Sequence, residues 1–404
     1  MTQRLLVRAI GQVKPGQLAI LSQTLNACDV ALLDIDQRVT QGQTVLEALV
    51  SCHDSASTLT QRLHAARETF AAEADLALSV HEIDQDTHES GQSLHLVMTL
   101  MATRLSRDLL ARVDRLISKW GLAIERMQRL SGPSSLIETA PAAGVCLEYH
   151  LRGEAVNIDA LRQALLAFAA QEGVDIALQE ESRWRHQRRL ICFDMDSTLI
   201  KAEVIDELAR RHGVYDAVAA ITERAMRGEI DFQQSFRERM SMLNGLSESV
   251  LADVADGLEL MDGLERLMTQ LRRLGYRTAI LSGGFTYFAH YLQRRLGFDE
   301  VHANELIIEA GVVTGEVHLP IVDAERKAVL LKEIAEHHGI ALEQTVAVGD
   351  GANDLKMLAS AGLGIAFHAK PLVREQARIS LSTLGLDAIL YLLGHDEQTL
   401  QQQG

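Results

Sequence analysis

Two aspartates, Asp194 and Asp196, stand in the run Asp194-Met195-Asp196-Ser197-Thr198, directly after the apolar stretch Arg189 to Phe193. A short apolar stretch of this kind reads as a buried strand, and the strand ends of open parallel sheets are where such folds build ligand sites. Ser282-Gly283-Gly284 follows a second apolar strand, Thr278–Leu281. Its hydroxyl and glycine amides suit the oxygens of a phosphate. Lys327 begins a helix after Pro320 and offers a compact positive charge. The strand Thr345–Val348 runs into Gly349-Asp350-Gly351-Ala352-Asn353-Asp354. Two carboxylates and an amide there are hard oxygen donors of the type Mg²⁺ prefers. Taken singly, each of these has a plain alternative as an acidic turn, a Ser-Gly-Gly turn or a surface lysine. In this order they supply the parts that phosphoryl transfer requires.

The elements that position these groups follow from periodicity. From Arg189 on, strands alternate with helices, which predicts a parallel sheet in a doubly wound α/β domain. Residues 204–260 show helical patterns alone, as a cap inserted after the first strand would. Residues 386–404 read as a C-terminal tail. Before the core, two βαββαβ units follow one another, at 1–85 and 90–181. The first comprises Leu5 to Ile10, a helix from Pro15–Gly16 through Asn26, Val30 to Ile35, Thr44 to Val50, Thr58 to Phe70 and Leu76 to Val80. The second comprises Leu94 to Met101, Ser106 to Trp120, Leu122 to Met127, Val145 to Leu151, Ile158 to Ala170 and Val174 to Leu178. Both predict small ferredoxin-like α+β folds.

A chain of 404 residues with 47% hydrophobic and 23% charged residues reads as globular, with two or three domains. The formal charge of −16 argues against a general nucleic-acid binder. Its local exception, Arg183, Arg185, His186, Arg188 and Arg189, reads as a solvated linker face. Cys28, Cys52, Cys146 and Cys192 form no CxxC pair, which predicts neither disulfides nor a zinc site. The apolar run at Leu5 to Ile10 is too short for a secretory signal, and no stretch reaches the ~18 apolar residues of a membrane span. A cytoplasmic protein with no membrane partner is expected.

The four chemistry-bearing motifs resemble those of the haloacid dehalogenase superfamily of phosphatases, a likeness that covers about residues 188–385. Glu203, nine residues after Asp194, together with Met226-Arg227-Gly228, Asp231-Phe232, Ser235 and Arg239, resembles the branch of that superfamily acting on phosphoserine. Met261-Asp262-Gly263 departs from its pattern, which often has proline before the glycine. The resemblance implies that Asp194 is the nucleophile, forming a phosphoaspartyl intermediate, and Asp196 the general acid and then base. It implies Mg²⁺ held by Asp194, the backbone carbonyl of Asp196 and Asp350, with Asn353 and Asp354 orienting ligands. Ser282, Gly283 and Lys327 would bind the phosphoryl group, Glu203 the substrate ammonium and Arg239 its carboxylate. Met226 and Phe232 would wall the pocket. Hydrolysis of phosphoserine to serine and phosphate, the last step of serine biosynthesis, is the implied function. Two readings compete with it: another small phosphate as substrate, and an amino-acid sensor with a degenerate core.

Each βαββαβ unit resembles the ACT domain, whose pairs bind amino acids. The first-loop pattern of that family appears as Gly11-Gln12-Val13-Lys14-Pro15-Gly16, with Val13 in place of the acidic residue, and Ala102-Thr103-Arg104-Leu105-Ser106 lacks the pattern. Two uses stay open for the units: packing or dimerisation, and binding of a regulatory amino acid such as serine. A homodimer is expected from edge-to-edge pairing of such sheets.

Overall fold

The computed structural model describes residues 3–70, 76–83, 94–132, 144–153 and 156–402, with only the backbone of 67–70, Met226 and Gln402. Packing divides the chain into two compact units, Met1–Gln92 and Ser93–Gly404. The expected boundary between 85 and 90 lies outside the described residues.

The first unit runs β1 (Gln3–Gln12), α1 (Gln17–Ala27), β2 (Ala31–Thr40), β3 (Gln43–Cys52), α2 (Ala56–Phe70) and β4 (Leu76–Glu82). Its strands form one antiparallel sheet in the order β2-β3-β1-β4. Leu5, Val7 and Ala9 are buried and alternate with Leu6 and Arg8, the period of a strand with one covered face. Leu21, Leu25, Leu59 and Leu63 from the two helices close this core. At the sheet edge β2 is exposed along its whole length, Leu32, Leu33, Ile35 and Val39 included.

The second unit begins with the same order: β5 (Leu94–Ala102), α3 (Arg107–Lys119), β6 (Leu122–Arg129), β7 (Val145–Gly153), α4 (Ile158–Glu172) and β8 (Asp175–Glu180). The sheet order β6-β7-β5-β8 repeats that of the first unit. Ser106 and Asn157 cap α3 and α4 by accepting from Leu109 N and Ala160 N, both at 3.0 Å. Here, however, burial along β5 is continuous from Leu96 to Ala102. One face meets α3 and α4. From the other, Met101, Cys146 and Ala177 pack into the same hydrophobic core as Ile191 and Phe193. No compact-unit boundary falls at 181–188. The Asp175 carboxylate, 4% exposed, fastens the seam by accepting from Ser382 N at 2.9 Å and Thr383 N at 2.7 Å.

The basic stretch is only partly the solvated face expected of it. Arg185 is 1% exposed and pairs with Glu148, itself buried in β7. A charge this deep persists only when paired, and Glu148 supplies the partner.

The remainder of the second unit is built on a six-stranded sheet of β9 (Leu190–Phe193), β10 (Arg277–Phe285), β11 (Glu300–Asn304), β14 (Thr345–Gly349), β15 (Leu363–Phe367) and β16 (Ile379–Leu381). Its order is β11-β10-β9-β14-β15-β16, and every neighbouring pair is parallel. The chain leaves β9 toward β10 and β11, then returns to the other side for β14, so the direction reverses beside β9. That reversal opens the crevice where ligands bind in such sheets. Leu190 and Cys192 face α11 (Ala324–His337) and α12 (Leu355–Ser360), while Ile191 and Phe193 face α9 (Leu264–Arg273) and α10 (Thr286–Leu296).

Four helices follow β9 as expected for a cap: α5 (Val204–His212), α6 (Tyr215–Met226), α7 (Phe232–Ser241) and α8 (Ser249–Asp256). A hairpin unforeseen in the sequence, β12 (Leu306–Glu309) and β13 (Val312–Val317), joins them. Gly245 N donates to Val313 O at 2.9 Å and Val313 N to Leu246 O at 2.8 Å. Its two-residue loop, Ala310 at φ 50 and Gly311 at φ 79, suits the primed turns that match strand twist. Residues 386–402 are not a tail. Leu386, Ile389, Leu390, Leu392 and Leu393 are buried in the core shared with β9, because their spacing presents apolar side chains around a short helix, α14 (Ile389–Leu392).

Candidate active site

The ends of β9, β10 and β14 lie side by side, and the register that pairs Phe193 with Val348 delivers Asp194 and Asp350 to one spot. Asp194 N still donates to Val348 O, at 2.9 Å. Beyond it the chain turns sharply. The Met195 carbonyl accepts from the amides of Thr198, Leu199 and Ile200 at 3.3, 2.8 and 3.2 Å, and Ser197 takes φ 55.

Lys327 stands in the first turn of α11, whose cap Asp323 accepts from Arg326 N at 2.9 Å. Its ammonium is 1% exposed and contacts Asp194 Oδ1 at 2.8 Å and Asp354 Oδ1 at 2.7 Å. Asp194 Oδ1 also accepts from Met195 N at 2.7 Å, so Oδ2 is the oxygen without a donor among the described residues. Both Asp354 oxygens are engaged, the second by Gly351 N at 3.0 Å. Asp350 Oδ1 accepts from Thr198 Oγ1 at 3.1 Å.

Asp194, Asp350 and Asp354 each place a carboxylate oxygen within 4.8 Å of the others. Three carboxylates against one ammonium leave two negative charges in a buried site. The strain shows in their protonation. Burial, then the charge of Asp354, pushes Asp194 well above the usual carboxylate range against the pull of Lys327. Burial, with Asp354 and Glu203, pushes Asp350 up to about 7. Burial alone would lower Lys327, but Asp194 and Asp354 outweigh it and hold its ammonium above the ordinary value. A divalent cation with hard oxygen preference matches this donor set and this charge. Because Asp354 is spent on Lys327 and Gly351, Asp194 and Asp350 are the carboxylates left to hold it. The Asp196 carboxylate is not in this cluster.

Asp196 lies beside the cluster. Its Oδ1 accepts from Val204 N at 3.2 Å, at the start of α5. A Cβ built on Gly284 would fall 2.7 Å from its Oδ2, so only glycine leaves that oxygen open. Burial, followed by the charges of Glu203 and Asp194, raises its carboxyl well above the usual range. Ser282 is fully buried, and its hydroxyl oxygen accepts from Gly284 N at 2.9 Å, which frees its proton to be donated. Asn353 sits in the short turn after β14, and no side-chain hydrogen bond of it is found among the described residues.

On the cap side, Glu203 Oε1 accepts from Ser197 Oγ at 2.9 Å. Arg239, on α7, feels the charges of Glu203, Asp206 and Asp196, yet burial holds its guanidinium below its ordinary value. Its Nε is buried with no hydrogen-bond partner among the described residues. Phe232 stacks on Phe236, and its ring tip lies 3.7 Å from where a Gly283 Cβ would stand. Gln233 Nε2 donates to Asp323 Oδ2 at 3.0 Å, so α7 touches the core on both sides of the crevice. The Met226 side chain lies outside the described residues.

Two further residues position the site: one carries no signal as a motif, and the other closes the Asp194–Thr198 run. Asn304, 1% exposed at the end of β11, donates to Gly283 O and accepts from Val322 N, both at 2.8 Å. It ties the Ser282–Gly284 loop to the segment that leads into Lys327. Thr198, fully buried, fixes Asp350. A lone asparagine after Val301-His302-Ala303 has no spacing partner, and only its burial exposes the role.

Comparison with known proteins places these features. The haloacid dehalogenase-like hydrolase profile matches residues 191–359, and the ACT domain profile matches residues 3–81. A phosphoserine phosphatase of Mycobacterium tuberculosis is 39% identical over 397 residues, covering 96% of this chain and 92% of that protein. One from Streptomyces coelicolor is 40% identical over 393 residues with the same coverage, 96% and 92%. Among solved structures, a hydrolase of the same superfamily from Salmonella enterica aligns with TM-score 0.63 at 30% identity, covering 74% of this chain and 98% of its own. An unliganded probable phosphoserine phosphatase from Vibrio cholerae aligns with TM-score 0.59 at 33% identity, covering 76% and 89%.

Proposed function

The chain belongs to the phosphoserine phosphatase family of haloacid dehalogenase-like hydrolases, and from that membership we propose how its own residues hydrolyse O-phospho-L-serine to L-serine and phosphate. The observation that carries the proposal is Asp194, held by Lys327 with Oδ2 left free at the mouth of the parallel sheet. Asp194 attacks phosphorus, the bond to the serine oxygen breaks, and Asp196 gives its proton to that oxygen. A carboxyl raised by its surroundings is in the acid form this step needs. Asp196 then takes a proton from water, which attacks the phosphoaspartyl phosphorus and returns Asp194 and free phosphate. Ser282 and the amide of Gly283 receive the phosphoryl oxygens, and Lys327 offsets their charge. Mg²⁺, held by Asp194, Asp350 and the Asp196 carbonyl, would neutralise the phosphate dianion when bound. Asn353 and Asp354 would orient these groups.

Selectivity for an amino acid rests on Glu203 for the ammonium and Arg239 for the carboxylate, with Phe232 and Met226 as walls. The unpartnered Arg239 Nε supports this, since a buried guanidinium without an acceptor is poised for a carboxylate. Phosphate release from phosphoserine with Mg²⁺, with chelator, and from Asp194→Asn is the test. Activity that survives loss of Asp194 removes the nucleophile assignment, and activity on another small phosphate alone removes the roles of Glu203 and Arg239.

The partner proposal is a homodimer through β2 and a response to serine through residues 3–81. Pairing β2 antiparallel with its own copy about Gln37 sets Asp36 opposite Arg38 and Ile35 opposite Val39. Val39→Lys should yield monomers in light scattering, and an unchanged dimer excludes this edge. No described helix is long and apolar enough to cross a membrane, and all four cysteines are free and buried, which supports the cytoplasmic placement.

A further inference from the structure

The basic stretch before β9 has a use that the catalytic site does not absorb. Arg188 turns inward beneath the edge of the catalytic sheet and donates to the carbonyls of Glu343 and Thr345, the latter at 3.4 Å. A Cβ on Gly362 would collide with its guanidinium, so the glycine makes room for the charge. Arg188 lines a cavity of about 320 Å³ between β8 and the β15–β16 edge, together with Arg162 from α4 and Arg378 before β16. Trp184 forms part of one wall and Ser182 offers a hydroxyl.

The three guanidiniums are poorly neutralised. Among the described residues Arg162 pairs only with Asp159, whose side chain is 93% exposed. Arg378 is exposed and has no hydrogen-bond or ion-pair partner among the described residues. The Nε atoms of Arg162 and Arg188 are both buried without a partner. Glu180 and Glu343 also reach the rim, but both are exposed to solvent. Burial, with the like charge of Arg185, pulls the Arg188 guanidinium down to about 10 against the opposing pull of Tyr276 and Glu343. Like-charged groups gathered in a confined space repel one another, and a site that keeps them gains when an anion enters.

We propose that this cavity is an anion site for a phosphate group, distinct from the phosphoryl site at Asp194. Guanidinium forks suit phosphate oxygens, which accept paired hydrogen bonds from each. The volume takes inorganic phosphate or a small phosphate monoester. Arg162 belongs to the ACT-like fold, whereas Arg188 and Arg378 flank strands of the catalytic sheet, so a bound phosphate cross-links the two across their seam. A reaction that releases phosphate supplies this ligand as its own product.

Equilibrium dialysis of the full chain with labelled inorganic phosphate tests the site, alongside competitive inhibition of phosphoserine turnover to report the Asp194 site. The parent should bind a second phosphate beyond the competitive one. The Arg162→Gln, Arg378→Gln double variant should lose that second phosphate, with kcat on phosphoserine unchanged. Arg378→Gln alone, at an exposed position that folding does not depend on, should weaken it about tenfold, one ionic hydrogen-bond pair. An O-methyl phosphate competitor separates a preference for monoester from free phosphate. A single phosphate in the parent, or two retained in the double variant, overturns the proposal. An inactive chain that still loses one of two phosphates would instead fault the catalytic reading.

Discussion

Replacing Arg239 by methionine keeps most of the side-chain stem and removes the charge, and the structure fixes the consequence for two substrates separately. The guanidinium is largely buried, and its Nε has no acceptor. A substrate carboxylate would fill that vacancy with charge-assisted bonds, and truncating one partner of such a pair costs about 2–4 kcal/mol. At 1.4 kcal/mol per decade this is roughly a 30- to 700-fold loss in kcat/KM for phosphoserine. An aryl phosphate presents no carboxylate, so its turnover should change by less than about threefold. Stability should move the other way. A buried cation without a full set of acceptors is a cost of about 1–3 kcal/mol, so the methionine variant should melt at or above the parent temperature. The assay is steady-state phosphate release from both substrates, with a thermal melt of each protein. Equal losses on both substrates would refute the carboxylate role. A lowered melting temperature would show that Arg239 serves the cap fold instead.

Mg²⁺ should stabilise the protein in a pH-dependent way. Asp350 titrates at about 7 in the fold against an ordinary 3.8. Between those values the folded state holds the extra proton, so metal-free stability falls as pH rises through that window. The cation needs the deprotonated carboxylates, and the Tm gain from Mg²⁺ should therefore grow from about pH 5 to about pH 8. A gain that is flat with pH would exclude Asp350 as a ligand. Asn304→Ala should lower kcat/KM by up to about a hundredfold through misplacement of the Ser282–Gly284 loop. Unchanged inhibition by vanadate in that variant would show the loop is held by other means. Asp175→Ala leaves the amides of Ser382 and Thr383 without their acceptor and should cost about 2–4 kcal/mol in urea melts. No change would show that the seam is fastened elsewhere.

Much of this was legible in the chain. Asp194, Ser282, Lys327 and Asp350 lie at strand ends or in the first helical turn, positions that apolar runs reveal directly. The difference between the two ferredoxin-like units was also written there. Leu5 to Ala9 alternates with the polar Arg8, whereas Leu96 to Ala102 is nearly unbroken apolar sequence, as a strand covered on both faces must be. What pattern could not give were partners distant in sequence. Arg185 looks like a surface residue until Glu148 arrives from β7, and Asn304 is one asparagine among many until Gly283 and Val322 close on it. The stretch from Leu386 onward misled because its apolar run is too short to announce a helix, and burial in the core shared with β9 supplies what propensity lacks.

The burial of Leu386 to Leu393 in the core that also holds Ile191 and Phe193 has a consequence for synthesis. Strand β9 is translated some two hundred residues before the helix that completes its core. Throughout that interval the core around Ile191 and Phe193 lacks its last members, although α9 and α10 can already cover that face, while residues 3–82 already hold every strand of their own sheet. The first unit can thus fold while the ribosome is still working, but the catalytic half must wait until translation has passed Leu393. A stalled or prematurely cleaved chain would carry a folded leading unit joined to a sticky, unfinished enzyme, the kind of species that chaperones hold.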